Sequence, residues 1–308
     1  MHKTVAIVGL GIGKLYVDVC KSIGWNVITV DINPDANADF LYIEDALRNI
    51  HVDMGIVCTP NFTHETVAEI MAKHGVATIV VEKPGFADVH RWISFYETYP
   101  NSKLFMVKNN QHRIIFDSID TSNIKALQLF WVNQNRIPGA GSWFTNKKLA
   151  GGGVSRDLMP HLLSVAQRVT NQPLQNIHAT CYQQYDMDTV TNESSYGQFH
   201  ANGIYDVDDC AIVFAESNGI DIQCISTWKY DTDSDVVKWK FHMKSGEVFD
   251  FISGLCPESA YNSMLQEYMF ADDATYKKHQ AYDTEIHSIL ENFTESIQTV
   301  TQIKNIIY

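Results

Sequence analysis

No run of apolar residues in this 308-residue chain approaches the ~20 needed to cross a bilayer, so no membrane span is expected. Positive charge is also short. Lysine and arginine number 23 against 36 aspartates and glutamates, a formal net charge of −13. Nucleic acid and anionic membrane both demand basic surface, so neither is expected as a partner. Cysteine is sparse and unpatterned. Cys20, Cys58, Cys181, Cys210, Cys224 and Cys256 form no CxxC, and several lie in apolar strand-like runs, where a free thiol behaves as a small buried hydrophobe. The twelve histidines show no HxxxH or HExxH spacing, and no metal site is expected. The N-terminus enters a strand directly, without the basic region, apolar segment and cleavage site of a secretory leader. These absences point to a cytoplasmic protein with reduced thiols.

What is present is ordinary globular composition, 45% hydrophobic and 19% charged, in a chain long enough to bury a large core. At roughly 100–200 residues per domain, two domains are expected. Strand-like runs at 3–9, 25–31, 54–58, 77–82 and 103–108 alternate with helical patterns at about 12–23, 43–50, 62–73 and 88–99. Continuous apolar strands separated by helices predict a parallel sheet covered on both faces. The second half differs. Strands at 211–217 and 220–228 are joined by Asn218-Gly219, a strong hairpin signal. Val237, Trp239, Phe241 and Met243 alternate with Lys238, Lys240, His242 and Lys244, as on a strand with one buried face. A helix is expected from about 283 to 303. The predicted fold is α/β: an N-terminal doubly wound Rossmann sheet over 1–120, then an α+β domain with a large, mostly antiparallel sheet over 121–308.

Gly9-Leu10-Gly11 lies between the first strand and the first helix, the context in which this motif signals a dinucleotide. The first glycine permits a tight turn, the second admits a pyrophosphate, and the helix N-terminus at Ile12 and Gly13 supplies N–H donors. The third glycine of the full pattern would fall at Lys14, with Gly13 one place early. Asp31 ends the second strand, where an acidic side chain accepts from the adenosine ribose hydroxyls. Its charge also opposes the extra phosphate of NADP, so NAD is the expected cofactor.

Three further segments resemble the glucose–fructose oxidoreductase and inositol dehydrogenase (Gfo/Idh/MocA) family. They are Cys58-Thr59-Pro60-Asn61-Phe62-Thr63-His64, Glu82-Lys83-Pro84, and Gly151-Gly152-Gly153 followed by Asp157 and His161. The resemblance implies that Thr59, Pro60, Asn61 and His64 belong to the cofactor site, that Glu82 holds the nicotinamide ribose, and that Lys83 reaches the reacting hydroxyl. It implies that Asp157 and His161 act on the same hydroxyl and its neighbours, with Asn109, His112, Arg136, Trp143 and Asn146 as further substrate contacts. Physical chemistry supports the same residues. Lys83 stands at the end of a buried strand, where open α/β sheets bind ligands, and desolvation there favours proton transfer. Asp157 and His161, spaced i, i+4, would share one face of a helix.

The expected activity is hydride transfer between NAD and a secondary alcohol or ketone of a sugar, cyclitol or sugar derivative. Lys83 and His161 share the hydroxyl proton, and which one is the base stays open. Met159 and Ser164 depart from the family pattern at positions often glycine and acidic, which bears on the substrate. Two other classes remain: an NAD-binding sensor without turnover, and an internal-redox enzyme that retains its NAD. Family analogy implies a homo-oligomer, dimer or tetramer.

Overall fold

The structure, a computed structural model, describes residues 3–190, 196–252 and 256–295. The chain opens with β1 (Thr4–Val8), α1 (Gly13–Ser22), β2 (Asn26–Val30), α2 (Ile43–Asn49), β3 (Met54–Val57), α3 (His64–Lys73), β4 (Thr78–Val81), α4 (Val89–Thr98) and β5 (Lys103–Met106). The five strands are parallel in the order β2-β1-β3-β4-β5. Every position of β3 and β4 is buried, as expected of strands covered on both faces. Outside β2, Phe40 forms an isolated parallel bridge to Val30 and extends the sheet by one residue. β1 lies between β2 and β3, so the order reverses beside it. In open α/β sheets that reversal creates the ligand crevice at the strands' C-terminal ends.

The next elements are β6 (Ile124–Val132), α5 (Lys147–Ala150), α6 (Val154–Asp157), α7 (Met159–Thr170), β7 (Gln175–Tyr182), β8 (Cys210–Ser217), β9 (Ile220–Thr227), β10 (Val236–Met243) and β11 (Val248–Ile252). After them come α8 (Glu258–Met269), α9 (Asp273–Glu291) and β12 (Thr294–Glu295). The second sheet runs β11-β10-β6-β9-β8-β7-β12 and is antiparallel except at β6–β9 and β7–β12. The β8–β9 hairpin closes at Ser217 and Ile220, with Asn218 and Gly219 both at positive φ (52° and 74°). That conformation suits the twist of a two-residue hairpin. On β10, Trp239 and Phe241 are buried. The opposite face carries Lys238, paired with Asp250 at 2.7 Å, and His242, which donates to Gln128 at 2.9 Å.

By internal contacts the chain forms two compact units, Met1–Ile114 with Cys256–His287, and Ile115–Leu255 with Ser288–Tyr308. Residues 256–287, which a linear division places in the second domain, thus pack with the parallel sheet. α8 was not anticipated from sequence. Its buried residues Ala260, Met264, Leu265 and Tyr268 form one helical stripe that joins the core of β1, β3 and β5. The expected helix over 283–303 requires correction. α9 begins ten residues earlier and ends at Glu291, where Asn292 turns back onto Ile289 and Ser288. Thr294 and Glu295 then pair with β7. Residues 296–303 lie outside the described part.

Candidate active site

In the first unit the site is built on the C-terminal ends of β1, β2, β3 and β4. Gly9 has φ of 91°, and a Cβ there would lie 2.7 Å from the Cys58 carbonyl oxygen, so only glycine lets β1 turn against β3. Gly13 opens α1 with a would-be Cβ 3.1 Å from Ile7 Cγ2. It therefore serves the helix–strand packing that a third glycine would serve at position 14. Ile12 caps α1 and is 48% exposed. Asp31, half-buried beyond β2, accepts from the Leu10 N–H at 2.7 Å and from the Asn33 N–H at 2.9 Å. One carboxylate thus holds the glycine loop and also caps the Asn33-Pro34 turn. Loop, helix N-terminus and acid fit a dinucleotide.

Beyond β3, half-buried Thr59, Pro60 and Asn61 lead through a turn of 3-10 helix into α3, and the hydroxyls of Thr59 and Thr63 are 2.7 Å apart. His64 is fully buried. Its Nδ1 lies 2.8 Å from the Gly85 carbonyl oxygen and its Nε2 2.8 Å from that of Thr59. Burial lowers its proton affinity, the two carbonyls oppose this, and the charge of Lys83 adds to the lowering. Beyond β4, Glu82 is buried and accepts from the Tyr16 hydroxyl at 2.6 Å and from the Lys83 N–H at 3.1 Å. Burial, reinforced by Glu82, pushes the Tyr16 hydroxyl well above its ordinary pKa, so Tyr16 is a donor. Lys83 is half-buried and joined to Pro84 by a cis peptide bond, in a turn closed by the Gly85 N–H on the Glu82 carbonyl at 2.9 Å.

Of the proposed substrate contacts in this unit, Asn109 is buried, and its Oδ1 accepts from the Asn110 amide at 3.5 Å. His112 is half-buried, edge-on to Tyr268 at 6.2 Å.

In the second unit the glycine triplet leads into α6. A Cβ on Gly153 would lie 1.8 Å from the Asp208 carbonyl oxygen, so packing alone demands glycine there. The Asp208 carboxylate accepts from the N–H groups of Gly153 and Ser155 and from the Ser155 hydroxyl, at 2.7–2.9 Å, and so starts the helix. Asp157 ends α6 and His161 lies in α7, with Leu158 between the two helices. The expectation of one continuous helix is therefore corrected. Pro160 lacks the N–H that would continue it, and the His161 N–H reaches back only to the Leu158 carbonyl. Asp157 Oδ2 accepts from the Tyr196 hydroxyl at 2.6 Å and from the Trp228 indole N–H at 2.8 Å. Burial, with Asp157 beside it, pushes the Tyr196 hydroxyl well up. The His161 ring stacks on Trp131 at 5.3 Å.

Phe144 meets Tyr196 edge-on at 5.1 Å and stacks on Trp143 at 3.8 Å, which brings Trp143 into the aromatic group beside Asp157. Arg136 is paired with Asp235 at 2.5 Å. Asn146 caps α5 through the Lys148 N–H at 3.1 Å, a structural use of its side chain. Sequence reasoning missed Tyr196, Trp228 and Trp131. Only Trp228 carried a signal, since a tryptophan in a buried strand run needs a partner for its N–H.

The chain matches two family models, described as the oxidoreductase family with NAD-binding Rossmann fold over residues 3–108 and the GFO/IDH/MocA C-terminal domain over 121–248. A protein of Amycolatopsis mediterranei (strain S699), described as the oxidoreductase subunit of a UDP-kanosamine synthase, is 29% identical over 125 residues. That match spans 38% of this chain and 34% of the relative's length. Among solved structures, GenD2 from gentamicin A biosynthesis, in complex with NAD, superposes with a TM-score of 0.72 at 17% identity, covering 95% of this chain and 93% of that one. A myo-inositol dehydrogenase from Corynebacterium glutamicum ATCC 13032 gives 0.71 at 13% identity, covering 95% and 97%. Levoglucosan dehydrogenase with NADH gives 0.71 at 14%, covering 94% and 95%. At these identities the likeness to solved structures is one of fold. Because the family models cover most of its length, the chain belongs to the Gfo/Idh/MocA family, with an NAD-binding Rossmann fold over residues 3–108.

Proposed function

We propose that this enzyme transfers hydride between NAD and a secondary alcohol or ketone of a sugar, cyclitol or sugar derivative. The observation that carries the reading is the Glu82-Lys83-Pro84 turn, with Glu82 fixed by Tyr16 and Lys83 at the mouth of wholly buried β4. NAD, when bound, accepts the hydride from the carbinol carbon. Gly9, Gly11, Ile12, Gly13 and Asp31 hold the adenosine and pyrophosphate side, and Thr59, Pro60, Asn61 and Glu82 the nicotinamide side. His64 contributes by fixing the Thr59 carbonyl. Lys83 and His161 share the proton released from the substrate hydroxyl. Asp157, held by Tyr196 and Trp228, accepts a neighbouring hydroxyl.

The charge of Arg136 is answered by Asp235, and the aromatic rings of Trp143, Phe144 and Tyr196 accumulate near Asp157. That chemistry favours a polyhydroxylated ring over a phosphate, with Asn109 and His112 as further contacts. A homo-oligomer is part of this reading. Phe214, Val248 and Ile252 are 46%, 52% and 76% exposed on the same face of the second sheet as His242. No helix of the described residues is long and apolar enough to cross a membrane, and a cytoplasmic location fits the reading.

The test follows nicotinamide reduction with NAD and a panel of cyclitols, sugars, sugar phosphates and nucleotide sugars. Turnover with NAD is expected, falling about 10²–10⁴-fold in Lys83→Met, while NAD still binds. Absence of turnover across the panel, with NAD demonstrably bound, would sink the dehydrogenase reading in favour of a sensor or an internal-redox enzyme.

A further inference from the structure

A single peptide unit two residues beyond Lys83 is gripped at both ends by buried imidazoles from different helices. The carbonyl of Gly85 lies 2.8 Å from His64 Nδ1, on α3, and the N–H of Phe86 donates to His287 Nε2, on α9, at 3.2 Å. Both histidines are fully buried, and neither has a part in the proton transfer above. The donor pattern at His287 follows from its surroundings. Nδ1 lies 2.7 Å from the Asp283 carbonyl, an acceptor, so Nδ1 carries the proton and Nε2 is left to accept. The ring stacks on Trp92 at 4.3 Å, and a Cβ on Gly85 would lie 2.3 Å from Nε2, so the contact is tight on both sides.

The clamp is anchored. The Asp283 carboxylate accepts the Met106 N–H at 3.0 Å and pairs with the fully buried Lys108 ammonium, which docks α9 on the end of β5. The second nitrogen of His64 lies 2.8 Å from the Thr59 carbonyl oxygen, so the ring stands between the β3 loop and the Lys83 turn, and in its neutral form donates to one of the two carbonyls. The turn itself spans Glu82 to Gly85 and is closed by their backbone hydrogen bond. Its first residue is held by Tyr16 and its far end by the two histidines.

We propose that His64 and His287 are positioning residues, which fix the Gly85–Phe86 peptide and thereby the placement of the Lys83 ammonium; this rests on the catalytic reading of Lys83. Misplacing a reacting group by ~1 Å costs on the order of 10² in rate, so buried groups far from the chemistry carry kinetic weight.

His287→Leu, His64→Leu and His287→Gln are made in the full chain; the Gln Oε1 reaches where Nε2 accepts. Trace acetylation with acetic anhydride, read by mass spectrometry with NAD bound, reports the Lys83 environment, and exposed Lys14 and Lys21 serve as internal references. NAD affinity comes from fluorescence titration, and kcat and KM from the best substrate of the panel. The expected result for each Leu variant is a change of about threefold or more in Lys83 labelling and a fall of about tenfold or more in kcat, with NAD affinity within about twofold in His287→Leu. His287→Gln is expected to return both toward wild type. Leu variants that bind NAD and leave Lys83 labelling and kcat within about twofold would overturn the clamp, as would a His287→Gln no better than Leu. Labelling needs no substrate, so it decides the clamp even where Lys83→Met leaves turnover intact, the outcome that removes the catalytic reading instead.

Discussion

Asp31 serves two structural contacts with one carboxylate, Leu10 N–H on one oxygen and Asn33 N–H on the other. An ionised carboxylate offers about four acceptor sites, so these bonds leave capacity for ribose hydroxyls. Hydrogen bonds to a charged group contribute about 1.5–3 kcal/mol, so Asp31→Asn is expected to weaken NAD binding by about tenfold or more. The lost charge also lowers the barrier to a ribose phosphate, and the preference for NAD over NADP should narrow. Fluorescence titration with both cofactors checks this, and an unchanged preference would assign selectivity elsewhere. His64 illustrates the limit of a motif at this scale. Its pattern marks a cofactor loop, yet both ring nitrogens are engaged inside the protein.

At the scale of elements, the residues just before β8 organise the segment that leads into α6 and α7. Asp208 caps α6, and next to it Asp209 accepts from the N–H groups of Gln184 and Tyr185. Burial pushes the Asp209 carboxyl up to about 7 against those donors, with the charge of Asp208 adding to the rise. In the unfolded chain an aspartate titrates near ~3.9. Between about pH 4 and 7 the unfolded state has released a proton that the folded state keeps, so this group's contribution to stability falls as pH rises. The stability of wild type relative to Asp209→Asn should therefore fall from about pH 5 to 7 and level off above about pH 8. Urea unfolding across that range measures it, and a constant difference would mean that Asp209 stays ionised in the fold.

For the molecule as a whole, the proposed cofactor residues and the proposed clamp all belong to the unit that combines Met1–Ile114 with Cys256–His287. A ligand that binds only the native state adds RT ln(1 + [L]/Kd), about 2.7 kcal/mol at 100 times Kd. Saturating NAD is expected to raise the thermal unfolding temperature by several degrees, and NADP at equal concentration by less. Calorimetry also reads whether the transitions of the two units separate, in which case only the NAD-binding unit should shift. A thermogram that NAD leaves unmoved would contradict the cofactor assignment.

Local pattern was enough for the parallel sheet, because the strand-like runs at 54–58 and 77–82 are apolar throughout and the segments between them carry a helical stripe. It was enough for the Asn218-Gly219 hairpin and the alternation of β10, where backbone chemistry and period-two burial act over a few residues. Motif and order singled out Gly9, Asp31, Lys83, Asp157 and His161 as candidates. Which groups hold those side chains was invisible, since Tyr196 lies 39 residues and Trp228 71 residues from Asp157, and His287 lies 201 from Phe86. Hydrogen bonds of that span arise only when separate elements pack, and no local preference encodes them. The same holds for α8 and most of α9, whose place on the parallel sheet is set by the apolar face left to cover, not by their position in the chain.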